Sequence, residues 1–399
     1  MYWLKKHKWL LIISFLEFVF ITYYGMIWFT YPIFLEGITS NITSIGLILA
    51  LPPLVSVMTA IIMGRISDNI GRKPLLLLGS ILTIILGFST QYLSTTTNFI
   101  LYCLVFGLVI ILYQSSIKAY ILDIAPKGKS GEYFGILYTF YGLGLTLGAF
   151  LGGYLLRDRV VLGLRNVGET TIVIGILSFI IALTLRETVS KNKSTENKIN
   201  FIEGVKEYRR LGRTGLVVLY AIFIIAFGSS LVITLEPLFY TEGIDSTTVG
   251  LIMTLFVFPM ILFSVPAGYL ADRYGKKNVL IIGTISGGLF ILLFGLARTT
   301  SEMMIMGFAA TIGYAFVYTA ANSLLADISK DMHKGSISGI INFAEDSGYI
   351  IAPVIGGILS DTYANFHSPF IIYGIILILS ALFYTLIKED AKIFNSEFN

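Results

Sequence analysis

The chain has 399 residues, 55% hydrophobic and only 13% charged, with a net charge of +4 and a mean hydropathy of +0.82. A soluble globular domain carries about 25% charged residues, so the composition excludes that class and fits a polytopic membrane protein. The single cysteine, Cys103, excludes an intramolecular disulfide, and no Cys/His cluster has metal-ligand spacing.

A spanning helix needs about 20 mostly apolar residues. Twelve such segments follow one another, at roughly 10–34, 44–64, 74–94, 98–124, 131–156, 168–186, 215–240, 247–269, 278–297, 303–328, 335–360 and 366–387. The first follows the basic run KKHK at 5–8. Its apolar stretch is too long for a signal-peptide core and no A-x-A-like site follows, so it reads as an uncleaved span. With twelve spans both termini lie on one side. The N-terminus, the loops after even-numbered spans and the C-terminus hold 23 Lys and Arg. The opposite loops hold four, Arg157, Arg159, Arg165 and Arg298. That bias places both termini in the cytoplasm. His7, His333 and His367 fall in connecting segments and read as solvated.

Residues 187–214 break the hydrophobic pattern. With Ile199, Ile202 and Val205 at helical spacing, they read as a cytoplasmic linker with an interfacial helix. The linker separates an N-terminal six-helix half, 1–186, from a C-terminal one, 215–399. The halves match at an offset of 204 residues: Gly46 with Gly250, Gly64 with Gly268, Asp68 with Asp272, Gly71 with Gly275, Arg72 with Lys276, Lys73 with Lys277, Asp123 with Asp327, and Gly152–Gly153 with Gly356–Gly357. Parallel six-span repeats imply a pseudo-twofold axis along the membrane normal and a substrate site between the halves. The expected fold is therefore an all-α membrane protein of twelve transmembrane helices in two pseudo-twofold halves.

These residues carry a resemblance. GRISDNIGRKP at 64–74 and GYLADRYGKKN at 268–278 resemble the G-x-L-A-D-R-x-G-R-R loop of the major facilitator superfamily, at the right spans and in both halves. Ile66 and Asn69 depart from it in the first copy. The resemblance implies a gate latch: Gly64 and Gly71 shape the loop, Asp68 faces the start of the eleventh span in one conformation, and Arg72 bridges to Asp123. Asp272, Lys276 and Asp327 would mirror this in the second half. The fifth-span run GLGLTLGAFLGG resembles the G-x-x-x-G-P-x-x-G-G motif of the family's drug–proton antiporters, with Ala149 in place of proline. Ile111 stands where that group often has an arginine three residues before Gln114.

Ionisable residues inside spans are costly and mark candidate sites. Glu17 in the first span and Lys118 in the fourth sit at similar depth; they read either as a working pair or as a static structural one. Glu345 and Asp346 are adjacent in the eleventh span, where burial and like charge oppose double ionisation. Asp346, Glu345 and Glu17 are thus the proton-coupling candidates. Glu236 reads as a gate or interfacial residue. Tyr24, Trp28, Gln114, Lys118, Tyr314, Tyr318, Asn322, Asn342 and Tyr349 are candidates for a substrate cavity. Its aromatic lining suits amphipathic or cationic organic solutes.

The leading expectation is a non-enzymatic secondary transporter of the cell membrane that exports amphipathic organic compounds by proton-coupled antiport and alternating access. Uptake of a sugar or organic acid is the alternative, and a receptor-like or lipid-moving protein is the alternative of another class. Expected partners are a small-molecule substrate, protons and the lipid bilayer, with no nucleic acid, no cofactor and a monomeric state.

Overall fold

A computed structural model describes residues 7–39, 41–124, 130–156, 160–188, 211–328 and 334–387. Every long element is an α-helix, and no strand occurs among the described residues. In chain order these are α1 (Lys8–Glu36), α2a (Ile42–Leu49), α2b (Leu51–Ile70), α3 (Arg72–Ser89), α4 (Thr96–Ile124), α5 (Ser130–Leu156) and α6 (Val160–Thr184). Then follow α7 (Gly212–Leu235), α8 (Ser246–Tyr274), α9 (Lys276–Leu296), α10 (Thr300–Ile328), α11 (Lys334–Tyr363) and α12 (Ser368–Tyr384). Counting α2a and α2b as one, each expected span has its helix. A bilayer offers the backbone no water to bond, and a helix satisfies its polar groups internally.

Among the described residues, ten helices are long and apolar enough to cross a membrane. The other two depart for different reasons. The polar residues around Glu345 and Asp346 dilute the hydropathy of α11, and α12 has only 17 residues. The break in α2 has a local cause. Asn41 caps α2a by accepting the Ser44 N–H at 2.9 Å. A second helix then starts at Leu51 with proline at its first positions, where no N–H is needed.

By packing, the chain forms two compact units. The first contains α1 to α6 with residues 230–261 and 349–366; the second contains the rest of α7 to α12. This division follows a different line from the 1–186 and 215–399 halves of the sequence repeat, because parts of α7, α8 and α11 pack with the N-terminal helices. Most of the 187–214 linker, residues 189–210, lies outside the described residues.

In the first unit α1 lies along α5, and α3 packs on both α4 and α6. The α1–α5 seam is set by glycines. A side chain at Gly144 would strike the Phe18 carbonyl oxygen at 2.6 Å, and one at Gly152 would strike the Phe29 ring. Small residues let the two backbones approach. Tyr23, Phe99, Tyr102 and Phe106 fill the space behind α1, with the Tyr23 and Tyr102 hydroxyls 3.0 Å apart. In the second unit α9 packs on α10 and α12, the pairs that match α3 with α4 and α6. Exposed Ile85, Leu101, Ile180, Ile282 and Leu382 give both units an apolar outer surface. One expectation is corrected here. His7 is buried at 7% exposure, and its Nδ1 lies 3.1 Å from the Tyr133 hydroxyl.

Candidate functional site

The expected latch residues begin at a one-residue turn. Gly71 links α2b to α3 at φ +105°, which disfavours any residue with a Cβ. The Glu187 carboxylate lies against Gly71, where a Cβ would collide with it. That carboxylate accepts the N–H of Arg72 at 3.1 Å and of Lys73 at 3.0 Å. It therefore caps α3, whose first N–H groups have no helical partner. The Arg72 side chain turns the other way, with Nε 3.3 Å from an Asp123 oxygen and Nη1 3.0 Å from Ser67 Oγ. Thr188 also donates to Asp123, at 2.6 Å.

The second copy repeats the scheme. Gly275 turns at φ +93°, and Lys276 pairs with Asp327. Lys73 donates to the carbonyls of Leu183 and Leu185, and Lys277 to those of Thr385 and Ile387. Each lysine thus closes the C-terminal end of α6 or α12, where cations are favoured. Neither Glu187 nor these carbonyl contacts were anticipated from the sequence. Gly64 and Asp68 on α2b and Asp272 on α8 lie on helical backbone, and their side-chain placement falls outside the described residues.

Glu17 is buried at 8% exposure on α1. The Lys118 ammonium is close enough to act on its charge, and that charge in turn reaches Tyr113. The Tyr113 hydroxyl lies 2.8 Å from Ser80 Oγ, and its ring stacks on Phe20 at 4.0 Å. Glu17 on α1 and Lys118 and Tyr113 on α4 thus lie within electrostatic reach of one another inside the first unit. Tyr24 and Trp28, with ring centroids 5.6 Å apart, are buried about two and three turns further along α1. Gln114 is half-buried on α4.

In the second unit Tyr314 and Tyr318 stack at 5.9 Å on α10. The Tyr318 hydroxyl reaches toward Glu345 on α11 at 3.5 Å. Asn322 spends its amide on the Tyr318 carbonyl one turn back, at 2.9 Å. Asn342, Glu345 and Asp346 are all half-buried. Tyr349 accepts a bond from Ser230 through its backbone carbonyl, at 3.2 Å, in the first unit.

A further charge-bearing group is Glu236. It sits where α7 passes into the 3-10 turn Glu236–Glu242, which packs against α1. It is 0% exposed, and neither carboxylate oxygen has a hydrogen-bonding partner among the described residues. An isolated carboxylate charge is costly to bury. Proton exchange, rather than a fixed charge, is the chemistry open to such a group. A titratable residue beside Pro237 was the available signal in the sequence.

A profile described as Major Facilitator Superfamily matches residues 13–242 and again 218–398. An uncharacterized MFS-type transporter of Methanocaldococcus jannaschii is 34% identical over 150 residues, 38% of this chain and 39% of its own length. Multidrug resistance protein 1 of Bacillus subtilis is 28% identical over 177 residues, 44% of this chain and 45% of its own. The chain thus spans less than half the length of these curated relatives. Among solved structures, a D-xylose-proton symporter superposes with a TM-score of 0.77 at 15% identity, over 96% of this chain and 98% of that one. Likeness at that identity concerns the fold alone.

Proposed function

The chain belongs to the major facilitator superfamily, and from that premise we propose that it is a proton-coupled transporter that exports amphipathic organic compounds by alternating access. The observation that carries the proton coupling is Glu236, a fully buried carboxyl with no hydrogen-bonding partner for either oxygen among the described residues. A carrier of this kind takes a proton where water reaches it and gives it up where water reaches it from the other side. Asp346, Glu345 and Glu17 are the further coupling candidates. Export of amphipathic compounds draws on the Bacillus relative, a multidrug resistance protein, and on the stacked Tyr314–Tyr318 pair, which suits flat or cationic solutes. The host is the cell membrane, with the Gly71 and Gly275 turns on the cytoplasmic side as the Lys/Arg bias requires.

Purified protein in proteoliposomes, given an imposed pH gradient and a panel of cationic dyes, sugars and organic acids, tests this reading. Dye accumulation should follow the gradient and collapse with a protonophore. Movement of sugar or organic acid but not dye would favour the uptake alternative. Dye movement indifferent to the gradient would remove proton coupling.

A further inference from the structure

On the face opposite the Gly71 turn, a carboxylate from α11 holds the start of α2a. Asp361 Oδ1 accepts the Ile42 N–H at 3.1 Å. Its Oδ2 accepts the Thr43 N–H at 2.8 Å and the Thr43 hydroxyl at 2.6 Å. The first N–H groups of a helix have no partner within it and sit at the positive end of its dipole. Here the local cap covers only part of them: Asn41 takes Ser44 N–H. The two N–H groups left by that cap are the ones Asp361 takes, from a helix more than 300 residues further along the chain.

The contact is seated by backbone. One turn before Asp361, a Cβ on Gly357 would meet the Ile42 carbonyl oxygen at 2.6 Å and the Thr43 Cα at 2.7 Å. Lower down, Gly46 lies directly on the Pro353 carbonyl. The two helices touch along their ends with no side chains between them, and the carboxylate closes the top of that contact. Yet Asp361 is exposed. Water can therefore replace its three bonds one for one when the helices part, so the contact is strong when made and cheap to release.

The arrangement has a counterpart. At the other end of α2b the sequence places Asp68, for which the loop resemblance implies the start of α11 as target. Asp361 supplies the same kind of contact, a carboxylate on a helix N-terminus, at the opposite end of α2. We propose that Asp361 is a reversible latch: its carboxylate clamps the start of α2a and keeps the pathway shut on the face opposite the Gly71 turn, releasing it when that face opens. The latch rests on the alternating-access reading above. It is a positioning role, remote from the coupling carboxyls.

The test is a distance. Spin labels at Ser44→Cys and Thr362→Cys, in the full-length Cys103→Ser chain in nanodiscs, report the separation of the two helix ends. Asp361→Ala should shift the ratio of short to long distances roughly three- to tenfold toward long, the weight of a carboxylate at a helix N-terminus. Asp361→Asn, which keeps the shape and an acceptor oxygen, should shift it less. Asp245→Ala is the control, because Asp245 caps only its own helix α8, at Thr248 N–H, 2.9 Å. It should leave the distribution unchanged. An unchanged distribution in both Asp361 variants, or an equal shift in the Asp245 control, would overturn the latch. Loss of the short distance in a protein that moves no solute in proteoliposomes would leave the latch standing and sink the transport reading instead.

Discussion

The expected pairing of Glu17 with Lys118, whose charges lie within electrostatic reach, allows a quantitative test. Removing one member of a buried ion pair strands the other charge and costs about 3–5 kcal/mol. The two sites are unequal. Glu17 is 8% exposed, whereas Lys118 is half-buried and can hydrate along its flexible stem. Lys118→Met strands the deeper charge and should cost about 4 kcal/mol, while Glu17→Gln strands a partly hydrated ammonium and should cost about 2 kcal/mol. The double variant leaves no stranded charge and should cost about 2–3 kcal/mol, well short of the sum, with the pair coupled by roughly 3 kcal/mol. Thermal melting of the four proteins in one detergent, followed by the monodisperse fraction after heating, gives the ranking. Additive losses would refute the pairing. A larger loss in Glu17→Gln than in Lys118→Met would refute the assignment of the deeper charge.

Other consequences can be checked in the same preparations. Gly71→Ala should cost about 1–3 kcal/mol through its backbone conformation, with a further loss because the new methyl meets Glu187; melting unchanged from the parent protein would contradict this. Asp346→Asn and Glu236→Gln should each abolish gradient-driven accumulation and spare downhill exchange, with Glu345→Gln retaining more coupling; a triple variant that still concentrates dye would place the proton elsewhere. Burial pushes the Asp361 carboxyl up, but the Thr43 hydroxyl and the two N–H groups outweigh it and hold it below the usual carboxylate range. Its contribution is then complete above about pH 4 and lost only as pH falls through that lowered value. The label distance should stay constant from pH 8 to 5 and lengthen in stronger acid; lengthening near neutrality would implicate another group.

The spans were legible because hydropathy over about 20 residues is a strong signal, and the 204-residue offset exposed the repeat. Arg72 and Asp123 could be matched from the loop resemblance, and the structure places them 3.3 Å apart. Glu187 could not, since it lies 115 residues from its partner and nothing in its own neighbourhood marks it as a cap. The targets of Lys73 and Lys277 are backbone carbonyls, which every residue carries and no sequence distinguishes. Glu236 looked like a span end because Pro237 follows it. Its burial comes from packing of the 236–242 turn on α1, a tertiary fact. His7 was misjudged for the same reason: Tyr133, 126 residues away, covers it.

The one-residue turns at Gly71 and Gly275 also set the mechanics. Consecutive Cα atoms are about 3.8 Å apart, so the end of α2b and the start of α3 cannot separate by more than about twice that. A longer loop would absorb a tilt of one rod before the next felt it. Here there is no slack, and α3 is in turn fastened to α4 by Arg72 and to α6 by Lys73. A tilt of α2b is handed on directly, as by a crank. Lengthening the Gly71 turn by a few flexible residues would therefore uncouple a lever while leaving every buried contact in place.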